Sequence, residues 1–278
     1  MLTICVFYSC NKAILSDKST DFTQEFLFTK GIEGPAVDSK GNLFAVNFKE
    51  EGTIGKIDKK GKVSLFLKLP NNSVGNGIRF DKDNTMFVAD YVNHTVFEVK
   101  SGSNKAIVYA SDSTMNQPND LAISPTGVLY LSDPNWAENK GKLWMAKNKK
   151  LTLLEENMGT TNGIEVSNDG KKLYVNESVQ RKIWVYDINT DDSLSNKKLF
   201  ASFNDFGLDG MRFDKNSNLY VCRYGKGAVV VLSFLGKTVR EIQLTGKNPS
   251  NITFGGKNNK QAFVTIADRG CFETFFIE

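Results

Sequence analysis

The sequence predicts an all-β chain folded as a six-bladed β-propeller, with four antiparallel strands per blade and a ring closed by an N-terminal strand that completes the last blade. Three observations carry this prediction. A motif occurs six times in which an acid, amide or hydroxyl residue precedes a short apolar run, a turn and a second apolar run. Its first residues, Glu33, Asn76, Asn119, Asn162, Asp209 and Ser250, are spaced by 43, 43, 43, 47 and 41 residues. No segment between the runs has a helical apolar period of useful length. A repeat of about forty residues holding four short strands is a propeller blade, not a helical solenoid.

The blades follow in order. Blade one opens at Glu33-Gly34, turns into the run from Gly41 to Val46, and continues with Thr53 to Asp58 and Lys62 to Phe66. Blade two opens at Asn76-Gly77 with a second run from Asn84 to Asp90, and blade three at Asn119-Asp120 with a run from Gly127 to Asp133. Blade four opens at Asn162-Gly163, and its extra length falls in the polar stretch from Asn189 to Asn196, a turn where insertion is tolerated. Blade five opens at Asp209-Gly210. The sixth, from Ser250-Asn251, ends one strand short at Glu278. The run from Thr23 to Thr29 precedes Glu33 much as Ser64 to Lys68 precedes Asn76, so it is expected to supply the missing strand and remove an exposed edge.

Composition fits one domain. The 278 residues are 40% hydrophobic and 24% charged, and six prolines and 23 glycines are scattered without forming a linker. A net charge of +4, with only short runs such as Lys147, Lys149 and Lys150, is too diffuse for a nucleic-acid footprint. Residues 1–20 read as a leader and tether, and 21–278 as the propeller. Leu2 to Tyr8 resembles the end of an export signal's apolar core and Phe7 to Cys10 a bacterial lipobox; no Lys or Arg precedes Cys10 and the core is short, both of which a mis-assigned start codon would explain. On this reading Cys10 is lipidated and the protein lies in the bacterial cell envelope, periplasmic or lipid-anchored; otherwise it is cytoplasmic. No later window reaches the roughly 18 apolar residues of a membrane span, so the lipid would be the only membrane attachment. The body is expected to be a soluble monomer. Cys222 and Cys271 are expected to be buried free thiols, with pairing left open.

In a closed propeller the first residues of all six innermost strands meet at one mouth of the channel. Asn, Asp and Ser commonly start strands because they satisfy turn backbone groups. Glu33 does not fit that reading, and a carboxylate turned into an enclosed channel is costly without a counter-charge. A hard divalent cation resolves the difficulty, because Ca²⁺ takes six to eight oxygen ligands from carboxylates, amide carbonyls and water. Glu33 and Asp209 supply two negative charges, and Asn119 and Asn162 two neutral carbonyls. Ca²⁺ is the first expectation, with Mg²⁺, Mn²⁺ or Zn²⁺ as alternatives. Zinc is less favoured, since the one histidine, His94, falls in a turn between outer strands, away from the mouth, and the cysteines lack ligand spacing. The same placement argues against a Ser-His-Asp triad. Neither a Walker A loop nor a dinucleotide fingerprint is present.

Glu33-Gly34-Pro35, Pro118-Asn119-Asp120 with Ser132-Asp133-Pro134, Asn162-Gly163, the run from Leu173 to Ser178 and Asp209-Gly210 together resemble the senescence marker protein / gluconolactonase / luciferin-regenerating enzyme family, over essentially everything after residue 25. The resemblance implies a six-bladed propeller with one catalytic divalent metal in the channel mouth, among sugar lactonases and related organophosphate hydrolases. It puts the metal on Glu33, Asn119, Asn162 and Asp209. The chain departs from the regucalcin-like branch at Gln117, where that branch carries an arginine that holds a sugar, and looks closer to the bacterial gluconolactonases.

The expected reaction is hydrolysis of a cyclic ester, most simply an aldonolactone. Asp209 is the first candidate to accept the proton of the attacking water, with Asp120 as a second catalytic carboxylate. Asn76, Gln117, Asp133 and Trp136 are the candidate substrate-binding residues, Trp136 through the loop from Asn135 to Gly141. Turn capping by Asp120, strand ending at Asp133 and core packing of Trp136 are the plainer alternatives. Glu177 either lines the site or faces solvent. The competing class is a non-catalytic propeller that binds a peptide, glycan or protein partner. The uneven ring, with carboxylates at two anchors, favours the enzyme.

Overall fold

The computed structural model describes residues 16–278. The Cys10 lipidation motif lies outside them. Six four-stranded antiparallel sheets follow one another around the ring, and in five of them the innermost strand comes first in sequence and each outer strand is added in turn. Blade one is Phe28–Val37, Leu43–Phe48, Thr53–Ile57 and Val63–Lys68. Blades two to five repeat that order from the innermost strands Gly75–Phe80, Leu121–Ile123, Thr161–Val166 and Met211–Phe213.

Each sheet packs on both faces against its neighbours, so second and third strands read as continuous apolar runs and not as alternating ones. Leu219–Arg223 and Ala228–Leu232 of blade five are buried throughout. The core is a set of seams between blades. Val46, Ile54 and Leu67 of blade one pack with Ile78, Val88 and Phe97 of blade two, for example. Fourth strands such as Val63–Lys68 and Ile107–Ser111 are largely solvent-facing.

The ring closes where the sequence requires, but with a different segment. The last sheet, Pro249–Gly255, Gln261–Ile266 and Cys271–Phe276, is completed by the two-residue strand Thr20–Asp21, paired through Thr20 to Thr274 and Asp21 to Glu273. The run from Thr23 to Thr29 is not that strand. Phe28 within it and Phe22 just before it fill the seam between blades six and one: Phe22 stands edge-on to Phe263 at 4.7 Å, and Phe28 sits between Phe48 and Phe272 at 5.5 and 5.6 Å. Phe28 already belongs to the innermost strand of blade one. Arg269 reinforces the closure, donating to Asp21 at 2.6 and 3.0 Å, to Glu25 at 2.6 Å and to Glu273 at 2.6 Å. Its guanidinium holds the Asp21 carboxyl below the usual range.

Innermost strands are tied to one another at the mouth. Gly77 N–H donates to the Asn119 carbonyl at 2.8 Å, and Gly210 N–H to the Ser250 carbonyl at 2.7 Å. The Ser250 hydroxyl donates to the Ile32 carbonyl at 2.7 Å and closes the last seam. Glycine is required in this layer. Gly34 has φ +58° and a Cβ there would meet the Asn76 carbonyl oxygen at 2.2 Å; one at Gly163 would meet the Asp209 carbonyl oxygen at 2.3 Å. Cys222 and Cys271 are buried free thiols.

Candidate functional site

The six anchors Glu33, Asn76, Asn119, Asn162, Asp209 and Ser250 line one cavity of about 360 Å³ at the mouth of the channel. Trp136, Ser178 and Tyr224 complete much of its wall. Clefts elsewhere on the surface, of about 490 and 950 Å³, are lined by turn residues such as Asp38, whose carboxylate already accepts from Lys40 N, Asn42 N and Asn42 Nδ2.

Four of the mouth residues share an unmet need. The side-chain oxygens Oδ1 of Asn119 and Asn162 are buried with no hydrogen-bond partner, and a buried acceptor left unpaired is destabilising. Glu33 is 8% exposed, and its Oε2 accepts from Gly34 N at 2.6 Å and Asn251 Nδ2 at 3.0 Å, with no Lys or Arg paired to it among the described residues. Burial, then the charge of Asp120, raises the Glu33 carboxyl well above the usual range. Burial, then Glu33, does the same to Asp209. Both shifts express a carboxylate that lacks a counter-charge.

Below the mouth the channel holds an ion network. Arg79, at 3% exposure, meets Asp120 through Nη1 at 3.1 Å and donates through Nη2 at 3.3 Å to its Oδ2. Glu165 Oε2 lies 3.5 Å from both Arg79 Nη2 and Arg212 Nε. Arg212 also donates to the Ile252 and Pro35 carbonyls, and burial, then Arg79, lowers it to about 10. Glu33, Asp120, Glu165 and Asp209 set against Arg79 and Arg212 leave two negative charges, and the arginines pair with Asp120 and Glu165. Glu33 and Asp209 are left over.

A divalent oxygen-seeking cation fits this donor set: two unpaired carboxylates and two orphaned amide oxygens around one cavity. Among the described residues no three His, Cys, Asp or Glu side chains form a ligand group, so the set is mixed in kind. The nitrogen and sulfur donors that favour zinc are not part of the lining. His94 belongs to the turn after Asp90, at the same end of blade two as Gly75, and does not line the cavity. Its placement at that end differs from the expected one away from the mouth, because a turn between second and third strands returns to the level where the first strand starts.

Asn76 lines the cavity and its Nδ2 donates to the Asn119 carbonyl at 3.2 Å. Trp136 lines it and is 41% exposed, not packed in the core. Asp120 is fully buried under the ligand layer, bound by Arg79, Leu121 N and Asn251, and does not reach the cavity wall. Asp133 is also fully buried and outside the lining. Its carboxylate accepts from Asn116 N, Gln117 N and Trp144 Nε1, so it shapes the loop before Asn119 and has no capacity left for substrate. Gln117 is held by that contact and stands outside the lining. Glu177 accepts from Gly159 N at 2.9 Å and serves a turn.

The sequence reading missed Arg79, Glu165, Arg212, Asn176 and Asn251. Asn176 Nδ2 donates to the Asp209 carbonyl at 2.6 Å and so positions that strand start. Asn251 bridges Glu33 and Asp120. A signal was present: Arg79, Glu165 and Arg212 all stand three residues after an anchor.

With the geometry in place, comparison with known proteins settles the ancestry. A family model described as the SMP-30/Gluconolactonase/LRE-like region matches residues 32–268. The chain belongs to that family. All four ligand candidates fall inside the matched span. Among its relatives, diisopropyl-fluorophosphatase of Loligo vulgaris is 30% identical, over 87% of this chain and 89% of that protein. Gluconolactonase of Zymomonas mobilis is 26% identical, over 81% and 73%. A solved structure described as a calcium-binding protein, regucalcin, from Agrobacterium tumefaciens superposes with a TM-score of 0.80 over 95% of this chain and 94% of that one. At 19% identity that likeness speaks for the fold.

Proposed function

We propose that the protein is a lactonase that hydrolyses a cyclic ester with the help of a divalent cation, Ca²⁺ first, held by Glu33, Asn119, Asn162 and Asp209. The observation that carries the reading is the pair of buried, unpartnered amide oxygens of Asn119 and Asn162 beside two carboxylates without counter-charges. Family membership and the relative named gluconolactonase support ester hydrolysis. When bound, such a cation supplies Lewis acidity for a carbonyl oxygen and eases ionisation of water.

The chain's own residues supply the rest. Asp209 is partly open to the cavity, where its carboxylate can accept a proton from attacking water at its Oδ. Asn176 fixes its backbone. Asp120 acts from behind through Asn251 and Arg79 and is a positioning residue. Trp136 and Tyr224 bound the substrate and keep bulk water away from the reacting ester.

A panel of lactones assayed with Ca²⁺, Mg²⁺, Mn²⁺ or chelator tests this. Activity should vanish with chelator and in Glu33→Gln. Equal rates for Glu33→Gln and the parent protein, or no hydrolysis of any lactone, would return the fold to the partner-binding class.

A further inference from the structure

Exposed apolar side chains gather at the mouth beside blades three to five. Trp136, Val179 and Tyr224 occupy the turns between second and third strands of blades three, four and five, and Phe206 the connection between blades four and five. All four are 40% to 48% exposed. Trp136 and Tyr224 line the cavity, and Val179 follows the lining residue Ser178. Gly207 lies between Ser178 and Tyr224, with its N–H donating to the Tyr224 carbonyl at 3.2 Å. Phe206 therefore stands beside the cavity wall, with its ring edge against Gly225. On the opposite side the lining offers Lys30 and Asn76 together with the smaller apolar contributions of Ile32 and Ala267.

The apolar shelf is built, not left over. Phe206 has φ +44°, a left-handed conformation unfavourable for an aromatic residue and found where the surroundings impose it. Arg223, 1% exposed, braces the residue before Phe206. Its Nη2 donates to the Asp205 carbonyl at 2.5 Å and to Asp205 Oδ1 at 2.7 Å, and its guanidinium lies 3.9 Å from the centre of the Phe203 ring. A buried arginine thus holds the segment that presents Phe206 to solvent. Beside this shelf the lining carries the Ser178 and Tyr224 hydroxyls and, deeper, the ligand candidates Asn162 and Asp209.

We propose that the shelf of Trp136, Val179, Phe206 and Tyr224 is a subsite for an apolar substituent, so that the lactone processed here carries an alkyl or aryl group. The inference rests on the lactonase reading and refines it. The ester ring sits over the mouth, and the substituent lies across blades three to five, removing apolar area on both partners from water.

The test is a series of δ-lactones with alkyl chains of increasing length, starting from unsubstituted δ-valerolactone, with gluconolactone for comparison. Expected is a rise in kcat/KM of about threefold per methylene over the first few carbons, carried by KM, at somewhat less than the full transfer value. Phe206→Ser should flatten that slope, while Phe234→Ser should leave it unchanged. Phe234 is 75% exposed, in the turn between third and fourth strands of blade five. Thermal melts confirm that both variants are folded. Hydrolysis of valerolactone and gluconolactone with no gain from chain length overturns the subsite and leaves the lactonase standing, as does an equal loss of slope in both variants. Failure on every lactone removes both.

Discussion

Replacing Arg79 by Met would test the channel network. The guanidinium is 3% exposed and meets the fully buried Asp120 within 3.3 Å, with Glu165 at 3.5 Å. Removing it strands Asp120 as a buried charge, and breaking a buried pair in this way costs about 3–5 kcal/mol. At about 2–4 °C per kcal/mol for a domain approaching this size, Tm in chelator should fall by roughly 10 °C. The double variant Arg79→Met, Asp120→Asn removes both charges and should recover more than half of that loss. The channel of the single variant also carries one more net negative charge, so Ca²⁺ should raise its Tm by more than it raises that of the parent. Melts followed by circular dichroism, with and without Ca²⁺, give all these values. A single variant within 2 °C of the parent, or a double variant less stable than the single, would refute the pairing and the charge count built on it.

Proton linkage gives a second prediction. The carboxyls of Glu33 and Asp209 bind protons more tightly in the folded chain than in the unfolded one. The cation-free protein should therefore lose stability as pH rises from the unfolded values near 4 towards and through the raised folded ones, and be relieved of that penalty below them. Saturating Ca²⁺ should flatten or reverse the slope, measured as Tm between about pH 5 and 8. Removal of residues through Asp21 should lower Tm by several degrees, because it deletes the closing strand and two of the contacts of Arg269; an unchanged melt would show that the last blade is stable with three strands. Trp136→Ala should raise KM for any lactone accepted while changing kcat little; steady-state kinetics would separate this from a fall in kcat alone.

The blades were legible because a propeller repeats its chemistry. Each innermost strand starts with a side chain that must serve the same place at the mouth, so Glu33, Asn119, Asn162 and Asp209 stand out as a spaced set, and the structure brings them around one cavity. What escaped depends on the ring and not on the repeat. Thr20–Asp21 is too short to show an alternation, while the aromatic run after it mimics a strand although Phe22 and Phe28 fill a seam. Arg79 and Arg212 look like ordinary charges on a strand, since only ring closure turns them towards Asp120 and Glu165. Asp133 sits in a motif next to the mouth, yet its hydrogen bonds to Asn116, Gln117 and Trp144 show that proximity in sequence had suggested a contact with substrate where the geometry gives a loop anchor.

Calorimetric titration of the chelator-treated full chain with Ca²⁺ tests the metal centre most directly. Binding at one site is expected, weakened by about 100-fold or more in Glu33→Gln and in Asp209→Asn, beyond what loss of an outer partner costs, and unchanged in Asp38→Asn. No binding by the parent protein, or equal affinity in all three variants, would contradict it.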